Sequence, residues 1–283
     1  MINFIKRYWN RPAFLHLFEL LPMRKLEPSQ IPIDVVVLLL PRDLHIFRLG
    51  LEGIRNCVTN TISEIYVVAP EDAEVRQFCK DNGLNFVPEN EVFGYPPSEL
   101  GLCITEPSGK SYMKNGWVFQ QFVKLSGKIG KSQYYLCIDA DHVLLKPHTF
   151  LCKDGLPVFY MSSENHQPYY DILYKLIGKR RLTPLSYVAH KMLFDKKQLE
   201  NLHNCIEDYC EMSWKDAILE KYDRTISSGF SEFELYGNFV AKKHMRPWIE
   251  IAKSYKDLDS YDNLVAKWSS KYNAITFPGW LNE

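Results

Sequence analysis

The run Ile33-Asp34-Val35-Val36-Val37-Leu38-Leu39-Leu40, closed by Pro41, constrains the fold more than any other stretch. It is too short to cross a bilayer and too evenly apolar to have a wet face. It reads as a strand buried on both faces, as in a parallel sheet. Such a strand needs parallel neighbours and helices on both sides, and the sequence supplies them. Residues 43–58 place Leu44, Phe47, Leu51, Ile54 and Val58 at spacings of three and four, which is an amphipathic helix. Glu64-Ile65-Tyr66-Val67-Val68-Ala69 is a second strand. Residues 72–82 form a second helix that stops at Gly83, and residues 84–87 a third strand. The order β-α-β-α-β implies a doubly wound α/β sheet, in which ligands bind beyond the carboxyl ends of the strands.

Further along, residues 91–112 are rich in Gly and Pro and read as a long loop. Residues 113–130 return to helix, with Val118, Phe122, Leu125 and Ile129 as the buried stripe and Lys114, Trp117, Gln121, Lys124 and Lys128 on the adjacent face. Residues 134–138 form another buried strand, which Val143-Leu144-Leu145 is expected to resume. The second half is expected to be mostly helical, over residues 185–210, 213–222 and from about Ser231 to Lys243. The expected architecture is a mixed sheet flanked by helices, with a basic aromatic arm over residues 1–30 and one domain over 31–283. Residues 31–150 would serve the first ligand and 151–283 the second.

The 34 basic and 34 acidic side chains cancel, which excludes a supercharged nucleic-acid binder. At 46% hydrophobic and 24% charged the chain is no disordered tail. Seven cysteines without a C-x-x-C pair give neither a zinc knuckle nor a thioredoxin motif, so a reduced, cytoplasmic protein is the simplest expectation. The first 25 residues carry Lys6, Arg7, Arg11, Arg24 and Lys25 against Glu19, among large apolar side chains such as Phe4, Ile5, Tyr8, Trp9, Phe14, Leu15, Leu17, Phe18, Leu20 and Leu21. Charges and Pro12 break any signal-peptide core. Two readings stay open for this arm: peripheral contact with an anionic inner leaflet, or a helix that caps the domain or meets a partner.

Asp139-Ala140-Asp141 follows the apolar strand directly. Two carboxylates at a strand end are costly unless a cation meets them. Alternate residues of an extended chain share a side, so both could face one divalent ion, a hard cation that prefers oxygen. The competing reading has Asp141 capping a turn and Asp139 paired with a lysine. No glycine-rich phosphate loop follows the first strand, which removes the fingerprint of ATPases and dinucleotide enzymes.

With Leu-Cys-Ile-Asp-Ala-Asp-His-Val-Leu-Leu around the pair, the chain resembles the nucleotide-sugar-dependent glycosyltransferases of the GT-A fold. It is most similar to a little-characterised, mostly bacterial group found among genes for surface polysaccharides. That likeness rests on Trp117-Val118-Phe119-Gln120-Gln121 and on Phe230-Ser231-Glu232-Phe233-Glu234-Leu235-Tyr236-Gly237, with Phe233 where Tyr is commoner, and spans about residues 33–245.

The resemblance implies a GT-A, Rossmann-like mixed sheet and transfer of a sugar from a nucleoside-diphosphate donor to a glycan or lipid-linked acceptor, with Mn²⁺ or Mg²⁺. It implies that Asp139 and Asp141 hold the ion, with His244 as a further ligand. Pro41, Arg42, Gln120, Gln121, Lys124 and Asp139 are the expected donor contacts, and His190 and Tyr236 the expected acceptor contacts. Glu232 and Glu234 are the candidate bases, although Ser231-x-x-Glu234 also fits a capping box with Phe230 and Leu235 as its staple. The alternatives are a nucleotidyltransferase-like enzyme or a carbohydrate-binding protein without catalysis.

Overall fold

The computed structural model describes residues 12–282; residues 1–11, the first part of the basic arm, and residue 283 lie outside it. In chain order, helix α1 (Pro12–Leu20) precedes β1 (Ile33–Leu38), α2 (Leu44–Cys57), β2 (Ile62–Ala69), α3 (Ala73–Asp81), β3 (Asn85–Pro88) and the short α4 (Glu89–Phe93). A hairpin of β4 (Cys103–Thr105) and β5 (Ser111–Met113) leads to α5 (Asn115–Leu125), β6 (Tyr134–Ile138), β7 (His142–Leu144) and β8 (Val158–Met161). Then come α6 (Gln167–Ile177), β9 (Lys191–Asp195), α7 (Lys196–Cys210), α8 (Trp214–Lys221) and α9 (Glu232–Phe239). The chain ends in β10 (His244–Pro247), β11 (Glu250–Ala252), α10 (Tyr261–Trp268) and β12 (Ala274–Thr276).

The central sheet has the order β3-β2-β1-β6-β9, with β9 antiparallel to β6 and the other neighbours parallel. This is the expected mixed sheet flanked by helices. Strand side chains alternate between its two faces. Val35, Val37, Val67, Leu136 and Leu193 pack with α2 and α3 residues such as Phe47 and Phe78. Val36, Val68, Cys137, Met192 and Phe194 pack with Phe122, Leu173, Leu202 and Leu235 from α5, α6, α7 and α9. Both faces are dry, which is why the β1 sequence shows no alternation. The strand order reverses between β1 and β6, so the crevice beyond their carboxyl ends is the topological switch point.

Four expectations are corrected. Residues 142–144 do not resume β6; they turn away to pair antiparallel with β12 in a separate sheet, β11-β12-β7. Helix α2 lies flat on β7, and a Cβ on Gly53 would come within 2.8 Å of the Leu144 backbone nitrogen, so only glycine fits there. Residues 185–210 are not one helix: β9 occupies 191–195, and Asp195 caps α7 by accepting from the Lys197 N–H. The 91–112 segment is a short helix, a 3₁₀ turn and a hairpin, in place of a loop. The helix expected to run to about Lys243 ends at Phe239.

The core also holds neutral histidines. His203 stacks on Trp214 at 4.5 Å between ring centroids, and burial pushes its pKa down to about 4 against the pull of its bond to the Leu125 carbonyl. An unfolded histidine titrates near 6.5. The unfolded chain therefore binds more protons between those values, and this stabilisation is present above about pH 6.5 and lost as pH falls toward 4. Compared with His203→Phe, the wild type should lose about 2–3 kcal/mol between about pH 7.5 and pH 4 in urea unfolding. An unchanged difference would place His203 in solvent.

Candidate functional site

A cavity of about 300 Å³ opens at the switch point, walled by the segments after β1 and β6, by α5, by the start of β9 and by the start of α9. After β1 the chain makes a 3₁₀ turn over Pro41–Asp43. Arg42 and Asp43 line the cavity, whereas Pro41 only opens the turn beneath them. Asp43 accepts a hydrogen bond from the Tyr255 hydroxyl at 3.2 Å.

Asp139 and Asp141 both line the cavity, but not as alternate residues of an extended strand. The chain turns there, closed by the His142 N–H on the Asp139 carbonyl at 3.1 Å. The competing lysine reading is also partly met. Lys124 Nζ donates to Asp139 Oδ1 at 2.7 Å and to Glu232 Oε1 at 2.8 Å. Burial would lower the Lys124 pKa, but the two carboxylates outweigh it and hold the ammonium charged. Burial would raise Asp139, yet Lys124 and His190 hold its carboxyl below the usual range.

Asp141 is different. Among the described residues, no other residue donates a hydrogen bond to its carboxylate and no cation pairs with it. Burial, then the nearby Asp139 charge, pushes its pKa up to about 7. A half-buried carboxylate left in this state lacks a direct partner, and the charge on nearby His190 offsets only part of the cost.

His190 joins the pair. It sits at φ 58°, in the left-handed region, immediately before β9. Its carbonyl accepts from the Asp139 N–H at 2.9 Å, which holds the two segments together. Its Nδ1 lies 3.1 Å from Asp139 Oδ2 and its Nε2 3.6 Å from Glu250 Oε1. Burial would lower its pKa, but these two acids raise it to about 10, so the ring carries both protons. Ligand atoms of Asp139, Asp141 and His190 all lie within 4.8 Å of one another.

Behind His190, His142 stacks at 5.3 Å and points into the core, donating through Nδ1 to Thr276 Oγ1, which donates in turn to Glu250. Glu250 and Thr276 had no signal in the sequence beyond two short apolar stretches, and no motif reaches them.

On α5, Gln120, Gln121 and Lys124 face the cavity together. Gln121 Oε1 accepts from the Glu232 N–H at 3.1 Å, and its buried Nε2 has no partner among the described residues. Of the two candidate bases only Glu232 lines the cavity. Glu234 is 1% exposed and turned into the core, where it accepts from Ser186 Oγ at 2.5 Å, the Tyr187 N–H at 3.1 Å, Asn238 Nδ2 at 3.0 Å and the Tyr170 hydroxyl at 3.3 Å. Ser231 caps the helix as expected, but Glu234 does not reach back to close the box. Burial pushes Glu234 up to about 7. Glu234→Ala should cost about 2–4 kcal/mol by taking the acceptor from four buried donors, while Glu234→Gln should keep the cavity's chemistry. Urea midpoints of both variants test this.

Two further expected residues stand elsewhere. Tyr236, one turn beyond Glu232, lies in the core against Phe194 at 4.7 Å, and its oxygen accepts from the Asp195 N–H. His244 starts β10 opposite Val158 of β8, and its Nε2 pairs with Asp154 Oδ2 at 2.9 Å. That strand pairing holds it beside Cys152 and Asp154 instead of the aspartate pair, and His190 takes the position expected of it.

A family model described as a family of unknown function, DUF6492, matches residues 42–268. No curated protein matches the chain. Among solved structures, apo mouse xyloside xylosyltransferase 1 is similar at 10% identity and a TM-score of 0.46, over 88% of this chain and 98% of that one. The galactosyltransferase LgtC, in complex with donor and acceptor sugar analogues, is similar at 12% identity and a TM-score of 0.41, over 87% of each chain. The bifunctional glycosyltransferase WbbM is similar at 13% identity and a TM-score of 0.49, over 91% of this chain and 47% of that one.

Proposed function

The chain belongs to DUF6492, a family of unknown function, so its chemistry has to be read from the cavity, and we propose a metal-dependent glycosyltransferase. It would move a sugar from a nucleoside-diphosphate donor to a glycan or lipid-linked acceptor on a GT-A-type sheet. The setting implied by the sequence resemblance is bacterial surface polysaccharide synthesis. The observation that carries this reading is Asp141: a carboxylate with no direct ion-pair partner among the described residues, beside Asp139 and His190, at the switch point of the sheet.

The donor set fits a hard divalent ion. Two carboxylate oxygens and one imidazole nitrogen suit Mn²⁺ or Mg²⁺, and further positions would be left to ligand and water. When bound, such an ion neutralises charge that develops on a departing diphosphate. His190 would have to give up its Nδ1 proton to bind it, while Glu250 keeps hold of Nε2. Lys124 is a fixed ammonium at the floor of the cavity, within reach of phosphate oxygens. Arg42, with a side chain 80% exposed, stands at the mouth on the β1 side, where a nucleoside would enter. The unpartnered Gln121 amide offers a donor for a sugar hydroxyl. Glu232 would be the carboxylate that receives an acceptor proton, and Lys124 Nζ donates a hydrogen bond to it.

The test is release of nucleoside diphosphate from UDP- and GDP-linked sugars, and of CMP from CMP-linked sugars, with and without Mn²⁺ and across a panel of glycan acceptors, together with thermal stabilisation by the same ligands. Ion-dependent stabilisation by one donor class, with release lost in Asp141→Asn, is the expected result. Stabilisation by sugars but not by any nucleotide would make this a carbohydrate-binding protein.

A further inference from the structure

Helix α1 packs Leu15 and Phe18 against the body but leaves a contiguous apolar edge in solvent: Leu17 is 61% exposed, Leu20 67%, Leu21 56% and Met23 38%. The chain then runs along a groove whose lining includes Arg24 and Lys25 on one side and Lys146 and Arg246 on the other. The only acid in that lining is Glu19, which pairs with His16. Arg246 ties the two sides together by donating to the Arg24 carbonyl at 2.7 Å. In a chain of zero net charge, four cations beside four exposed apolar side chains are a local concentration that folding does not require.

We infer that this face docks on an anionic phospholipid bilayer, the apolar edge entering the headgroup boundary and the groove meeting lipid phosphates. Charge decides the occupant. A second copy of the chain meeting this face about a twofold axis would set cationic groove against cationic groove. Residues 1–11 carry Lys6, Arg7 and Arg11 and no acid, so they add to the field and do not complement it. An anionic surface complements both the groove and that segment, and an apolar edge with adjacent cations is the pattern of interfacial binding. No described helix is long and apolar enough to cross a membrane, so the contact would be peripheral.

The full chain is sedimented with phosphatidylglycerol/phosphatidylcholine vesicles and with pure phosphatidylcholine vesicles, in the absence of any sugar donor. The readout is therefore independent of the transferase reading. Binding should be about tenfold stronger to the anionic vesicles and should weaken with salt. Leu17→Glu/Leu20→Glu and Arg24→Glu/Lys25→Glu should each reduce it about tenfold. Their melting temperatures, and any donor turnover in lipid-free buffer, should match the wild type. Equal binding by wild type and both variants, or no binding to anionic vesicles, overturns the inference. So does a solution dimer that Leu17→Glu/Leu20→Glu dissociates, which would assign the face to a second copy.

Discussion

Asp141→Asn should abolish ion-dependent donor turnover, by at least about a hundredfold, and at the same time make the ion-free protein more stable. The two effects have one cause. The Asp141 carboxylate is desolvated beside Asp139 with no cation paired to it, and its pKa is pushed up to about 7 although the His190 charge pulls the other way. Above that pH the native state holds, largely desolvated, a charge that the unfolded chain carries in water. Because the native pKa lies above the unfolded one, stability falls as pH rises through the interval between them. Asparagine removes the charge and keeps the shape, so at about pH 8 the variant should unfold about 1–3 kcal/mol later than wild type in urea. Mn²⁺ should reverse the ranking by stabilising the wild type and leaving Asp141→Asn unmoved. A variant that is less stable without ion, or equally stabilised by it, would mean that Asp141 does not hold the metal. A buried group that weakens the fold and serves a ligand is the expected signature of a functional site.

The sequence made the sheet legible where burial on both faces erased alternation, as in β1 and β2, and where helices carried strong stripes and caps, as in α2 and α3. It failed where periodicities overlap. Leu185, Val188, Ala189, Met192 and Leu193 sit at helical spacings, yet Met192 and Leu193 are neighbours in an edge strand and face opposite cores. Asp195 as an N-cap was the available signal for that boundary. The same overlap hides part of the site: a helix over 185–210 has no place for the left-handed turn at His190 that aims its ring at Asp139. The aspartate pair itself was legible from its flanking apolar residues. Its partners were not, because Glu250 and Thr276 reach it through strands of three residues that carry no motif. Likewise Gln121 and Lys124 read as a polar helix face, although α9 covers that face and leaves them 4% and 8% exposed.

Lys124→Met is expected to cost about 3–5 kcal/mol of stability and to end donor turnover. The ammonium sits between Asp139 and Glu232 and over the Phe233 ring, 4.5 Å from its centroid. Without it the buried Glu232 carboxylate loses its cation and Asp139 is left to His190 alone. Adding Glu232→Gln removes one of those charges, so the double variant should recover about half of the loss without recovering activity. Additive effects in that cycle would mean that the two side chains are not energetically coupled. Ion binding should move the other way. Lys124 and a metal ion draw on the same Asp139 carboxylate, so removing the lysine frees Oδ1 and removes a like charge from the ion's surroundings. Lys124→Met should therefore bind Mn²⁺ more tightly than wild type in titration calorimetry, and Mn²⁺ should restore more of its stability. Tighter ion binding with no turnover would assign Lys124 to the donor phosphates. Unchanged ion affinity would show that the lysine and the ion do not share that carboxylate, and the ion would then have to rest on Asp141 and His190 alone.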